Sequence, residues 1–152
     1  MAKRVIQHMV PNGRERIFIV SSISATQPAP YETVYGSSKI FGFSFSESLH
    51  EDLRETGITV TALPPGATDS AFHANAGMAN SVIGRSPKND KRLVAQQGYD
   101  ALMNDIDHVI GGDEATQKRA IENRALPEPV KAARQAARTR LDNLSATLYQ
   151  EP

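Results

Sequence analysis

No cysteine occurs in the 152 residues, which excludes a disulfide framework, a thiolate metal site and a cysteine nucleophile and fits a reducing compartment such as the cytoplasm. An excess of either charge is also missing. Seventeen basic side chains meet seventeen acidic ones, so the overall field gives no reason to expect nucleic acid or an anionic membrane as a partner, and any recognition must be local. The N-terminal MAKRVIQHMVPNGRER has no apolar signal core, and no stretch approaches the ~18 to 20 apolar residues of a membrane span. A soluble protein is the expectation. Internal repeats and low-complexity tracts are absent, and the length suits one domain with a real core rather than two.

What is present alternates in period. Val5, Ile6, Met9 and Val10 fall at helical spacing, and Pro11-Asn12-Gly13 supplies turn chemistry that ends the helix. Arg16 to Ser22 is a continuous β-branched apolar run, the pattern of a parallel strand covered on both faces. From Tyr35 to Thr56 the residues Phe41, Phe45, Leu49 and Leu53 recur every fourth position and Gly57 follows, which predicts a long amphipathic helix. Ile58 to Leu63 predicts a second strand, closed by Pro64-Pro65-Gly66, and strand, helix and strand in this order form a βαβ unit. Residues 67–89 show no sustained period and read as a loop with short helical turns. A further helix is expected over 90–105, a third short strand over His108 to Gly112, and helix beyond Glu114 with a break at Leu126-Pro127-Glu128-Pro129.

In an open parallel sheet, ligands bind outside the carboxyl ends of the strands. Ser22 and the Pro65-Gly66 turn lie at such ends, and Tyr35 and Lys39 open the helix between them. Residues i and i+4 share a helix face, so the Lys39 ammonium is placed to favour the Tyr35 phenolate and bring its pKa toward the working pH. That makes Tyr35 a candidate proton donor and acceptor. Ser22 is a candidate hydrogen-bond donor to a carbonyl oxygen gaining negative charge.

This set resembles the short-chain dehydrogenase/reductase family. Tyr35-Gly36-Ser37-Ser38-Lys39 fits its Y-x-x-S-K form, Ser22 precedes the tyrosine by thirteen residues, and Pro65-Gly66-Ala67-Thr68-Asp69-Ser70 is similar to its P-G-x-x-x-T segment with serine in place of threonine. The resemblance implies an α/β fold: a partial Rossmann-like, doubly wound parallel sheet of about three strands with flanking helices, plus a helical C-terminal tail. Residues 1–112 would be the C-terminal part of that domain and 113–152 a helical extension. It implies Ser22, Tyr35 and Lys39 as catalytic residues, and Tyr35, Lys39, Pro65, Gly66, Thr68 and Ser70 as contacts to NAD or NADP, with Lys39 holding the nicotinamide ribose. The partner would be a small carbonyl compound or secondary alcohol, and the Tyr35 to Thr56 helix would serve a homo-oligomer.

The family's glycine-rich T-G-x-x-x-G-x-G turn, which holds the dinucleotide, does not occur in the sequence. The chain is therefore expected to be an incomplete copy of an oxidoreductase, and the alternative is a non-catalytic remnant that pairs with another subunit. Competing chemistries fit poorly. Residues 36–40 lack the second glycine of a G-x-S-x-G elbow, position 36 is not the serine of an S-x-x-K motif, and His8, His50, His73 and His108 show no metal-ligand spacing. The arginines of the tail, Arg134, Arg138 and Arg140, read as a solvated helix face among interspersed acids.

Overall fold

The computed structural model describes residues 2–142. The chain opens with α1 (Ala2–Met9), turns at Gly13 in a left-handed conformation (φ 62°), and enters β1 (Arg16–Val20). A short 3-10 turn over Ile23–Thr26 leads to α2 (Thr33–Asp52), which ends in a second 3-10 turn and Gly57 at φ 74° before β2 (Thr59–Leu63). Beyond β2 lie two single-turn helices, α3 (Phe72–Asn75) and α4 (Val82–Arg85), then α5 (Lys91–Met103), α6 (Glu114–Ala125) and α7 (Glu128–Thr139). Among the described residues, no helix is long and apolar enough to cross a membrane.

The two strands are parallel and pair in register from Arg16 with Thr59 to Val20 with Leu63. Pairing continues past the named strands, because the Ser21 amide donates to the Leu63 carbonyl at 2.8 Å and the Ile23 amide to the Pro65 carbonyl at 2.8 Å. On its other side β2 meets the segment expected as a third strand, at two separate parallel bridges, Ala62 with His108 and Pro65 with Gly111. Proline chemistry explains the interruption. The Ala62 and Gly66 amides donate to the Asp107 and Gly111 carbonyls, both at 2.8 Å, whereas Pro64 between them has no N–H to give. The third lane is therefore present as bridges rather than a continuous strand.

β2 is buried along its whole length. Its Val60 packs with Ile58, Leu49 and Leu53, and Ile6, Met9, Ile17, Ile19 and Phe45 close around that cluster. β1 differs from the expectation of cover on both faces: Phe18 and Val20, which share one face, are 38% and 52% exposed, and among the described residues β1 has a neighbouring strand on one edge only. The apolar row of α2 is likewise shorter than its period suggests. Phe45, Leu49 and Leu53 face the core, whereas Phe41 stands 71% exposed and stacks on Phe45 with ring centroids 5.9 Å apart. Gly36 is needed where α2 crosses the preceding segment, since a Cβ there would lie 2.3 Å from the Ala29 Cβ.

The C-terminal helices are fastened to the β1 end of the sheet by buried amides. The Asn123 Nδ2 donates to the Gln27 Oε1 at 3.0 Å and to the Thr26 Oγ1 at 2.9 Å, and the Gln27 Nε2 donates to the Gln135 Oε1 at 2.7 Å. Thr139 on α7 adds a hydroxyl bond to the Pro30 carbonyl at 2.8 Å.

Candidate active site

The carboxyl ends of β1 and β2 open into a cavity of about 260 Å³. Ser22, Tyr35, Lys39, Pro65, Gly66, Thr68 and Ser70 all line it. Each is placed by a local device. Ser22 leaves β1 extended and caps the following turn, its hydroxyl oxygen accepting from the Ser24 amide at 3.1 Å, which leaves its own proton free to donate. Ser21 points the other way and ties strand to helix, donating to the Lys39 carbonyl at 2.8 Å. Tyr35 sits in the first turn of α2, with its ring 5.2 Å from that of Phe72 on α3. The Lys39 ammonium lies 5.5 Å from the Tyr35 ring centroid and donates to the Val20 carbonyl at 3.1 Å.

The turn after β2 is shaped by a glycine. A Cβ at Gly66 would lie 2.6 Å from the Thr116 Cγ2 and 2.8 Å from the Asn89 Nδ2, so α6 and the end of the 67–89 segment close directly onto the backbone there. Thr68 donates to the Gly66 carbonyl at 2.9 Å, and the Ser70 hydroxyl is spanned between the Thr68 carbonyl and the Phe72 amide, both at 3.3 Å. Ser70 is exposed.

The family model of the short chain dehydrogenases matches residues 1–81. The chain belongs to that family. A short chain dehydrogenase of Pseudocercospora fijiensis is 36% identical over 74 residues, covering 49% of this chain and 24% of its own length. Among solved structures, a short chain dehydrogenase of Burkholderia cenocepacia in complex with NADP matches with a TM-score of 0.68 at 22% identity, over 87% of this chain and 52% of that one. One from Sphingobium yanoikuyae in complex with NADPH matches with a TM-score of 0.67 at 20% identity, over 99% of this chain and 52% of that one. These last two likenesses speak for the Rossmann-like fold, and the chain spans about half the length of the solved dehydrogenases it matches.

The electrostatics of the cavity bear on Tyr35. Burial raises the Tyr35 pKa above 10.0; Ser22 beside the phenol favours the ionised form and offsets part of the rise, and the Glu32 carboxylate adds to it. The Lys39 ammonium lies 5.5 Å from the ring centroid, donates to the Val20 carbonyl and is not among these causes. Glu32, at the start of α2, is itself pushed up by burial, with Gln135 opposing.

Several cavity residues escaped sequence reasoning. Gln27, Glu32, Arg119, Gln135 and Arg138 belong to no motif, and three of them come from the tail helices. Arg134 and Arg140 are exposed as the solvated-face reading requires, but Arg138 is turned into the cavity wall. Its spacing from Lys131 and Gln135, both buried on α7, is the signal that could have revealed it.

A second cluster joins α2 to the third lane of the sheet. The His108 Nδ1 stands 3.0 Å from the Asp107 Oδ2 and 3.4 Å from the Glu47 Oε1. Burial raises Glu47, whereas in Asp107 the bonds to His108 outweigh burial and lower it. Sequence spacing could not show this group, since 47 and 107 meet only through the fold.

Proposed function

We propose that the cavity is the carbonyl-activating site of an NAD- or NADP-dependent oxidoreductase that reduces a small carbonyl compound or oxidises the corresponding secondary alcohol. The observation that carries this reading is the convergence of the Tyr35 phenol and the Ser22 hydroxyl on one cavity at the carboxyl ends of two parallel strands, with Lys39 one turn along the same helix. Family membership over residues 1–81, which contain all three, supports it.

Ser22 donates its free hydroxyl proton to the carbonyl oxygen, a bond that strengthens as charge develops there. Tyr35, protonated across the neutral range as any phenol is, delivers the proton that converts the nascent alkoxide to alcohol. Lys39 and the Pro65 to Ser70 turn fit the nicotinamide end of a dinucleotide by their donors and their place on the cavity. When bound, that group supplies the hydride. In this reading residues 1–112 carry the catalytic part of the domain, and the helical extension from 113 walls the substrate side.

The test is loss of reduced-nicotinamide absorbance on adding a short ketone to the chain at saturating cofactor. No carbonyl-dependent change with either NADH or NADPH would overturn the assignment. Because the sequence contains no glycine-rich phosphate turn, dinucleotide affinity is expected to be weak. Isothermal titration should give no micromolar dissociation constant for NADH or NADPH, and finding one would contradict this.

A second role is favoured by the exposed apolar residues of α2. Val34 is 86% and Phe41 71% exposed, with Ile40 between them at 42%, which supports pairing of this helix with a second copy of the chain. Light scattering should report a dimer mass that Phe41→Glu converts to monomer. A monomer mass for the unaltered chain at every concentration would exclude pairing.

A further inference from the structure

Arg119 on α6 and Arg138 on α7 line the same cavity as Ser22 and Tyr35. Both are half-buried. The Arg138 Nε is buried and has no hydrogen-bond partner among the described residues. No carboxylate there stands within ion-pair distance of either guanidinium. Burial and then the charge of Arg119 lower the Arg138 pKa, and Lys88, also lowered first by burial, feels Arg138 as a like charge.

Placing two half-buried guanidinium groups on one cavity without a counter-charge, one with its Nε buried and unbonded, is unfavourable unless an anion sits between them. Glu32 shares the cavity but lies within ion-pair distance of neither guanidinium. Lys88 is committed elsewhere, donating to the Ile83, Gly84 and Ser86 carbonyls. Arginine is also the side chain that grips a planar or tetrahedral oxyanion through paired N–H donors.

We propose that Arg119 and Arg138 anchor an anionic group, a carboxylate, sulfonate or phosphate, on the carbonyl compound whose oxygen meets Ser22 and Tyr35. This deepens the oxidoreductase reading and rests on it for the word carbonyl. The size of the cavity, about 260 Å³, limits the compound to a short one, with the anion and the reacting carbonyl a few bonds apart.

The experiment compares acetoacetate with ethyl acetoacetate, which present the same ketone with and without the charge, by isothermal titration and by the arginine Nε–H signals in NMR spectra of the chain. Acetoacetate is expected to bind at least about tenfold more tightly than the ester, and Arg138→Met or Arg119→Met to remove about tenfold of that affinity. The exposed Arg134→Met should leave it unchanged. Should Arg138→Met fail to fold, Arg138→Lys, which keeps charge but not the paired donors, and Arg119→Met give the same reading.

Equal affinity for acid and ester, or acetoacetate binding indifferent to both arginines, overturns the proposal. So does arginine-dependent binding of ADP without acetoacetate binding, which would assign the pair to the diphosphate of a dinucleotide. The two readings fail separately. Arginine-dependent acetoacetate binding without any ketone reduction removes the oxidoreductase assignment and leaves the anion site, whereas reduction of acid and ester with equal kcat/KM does the reverse.

Discussion

Tyr35→Phe is expected to lower kcat/KM for ketone reduction by about 10²–10⁴, the range over which a positioned general acid acts. The change removes one oxygen and keeps the ring, so the contact with Phe72 at 5.2 Å and the Lys39 ammonium over the ring face both persist. Substrate affinity should therefore move little, and the loss should appear in kcat. The pH profile gives a second readout. The Tyr35 pKa is raised by burial, with Ser22 opposing and Glu32 adding, so the proton-loaded form persists beyond the ordinary 10.0. Reduction should stay level through neutral pH and fall only above about 10, while alcohol oxidation, which needs the phenolate, should rise over the same interval. Phe at 35 should abolish both limbs. A variant retaining more than about a tenth of wild-type kcat/KM would mean that another group moves the proton.

Asn89→Ala is expected to destabilise the fold by about 2–4 kcal/mol, read as a fall in the urea midpoint at unchanged slope. Asn89 is buried, and its side chain closes three segments onto one another. Its Nδ2 donates to the Ala67 carbonyl at 3.2 Å and the Thr116 hydroxyl at 3.1 Å, while its Oδ1 accepts from the Asp113 amide at 2.8 Å. Truncation leaves those partners without it in a place where Gly66 already brings backbone, Thr116 and Asn89 into contact. The Asn89 amide and carbonyl bonds to Ala67 and Asp69 remain, so the segment should loosen rather than detach. A loss below about 1 kcal/mol would show that water replaces the amide at little cost.

How much of this the sequence disclosed depends on the range of the forces involved. Local signals were readable: the β-branched run of β1, the four-residue spacing of Phe45, Leu49 and Leu53, and Gly57 at the end of the helix each act within a few residues. The triplet Ser22, Tyr35 and Lys39 was equally legible, because strand end and helix start fix the three side chains with little help from elsewhere. What stayed hidden depends on contacts between distant segments. Phe41 has the same spacing as Leu49 but stays 71% exposed, with only one face of its ring stacked on Phe45 among the described residues. Pro64 splits the third lane only because it falls where a cross-strand donor is required. Asn89 in a stretch without period gave no hint of its three partners, and Arg138 looked like Arg134 and Arg140 until α7 was packed against the cavity. The Lys39 ammonium was legible in position but not in effect, since the Val20 carbonyl that engages it was out of view.

The amides of Gln27, Asn123 and Gln135 bind both tail helices to the turn that begins at Ser22. Direct hydrogen bonds thus join the wall of the site to its floor. On the proposed roles of Arg119 and Arg138, divergence there would change which molecules are welcomed without re-aiming the hydroxyls beneath, leaving taste and chemistry free to evolve at different speeds.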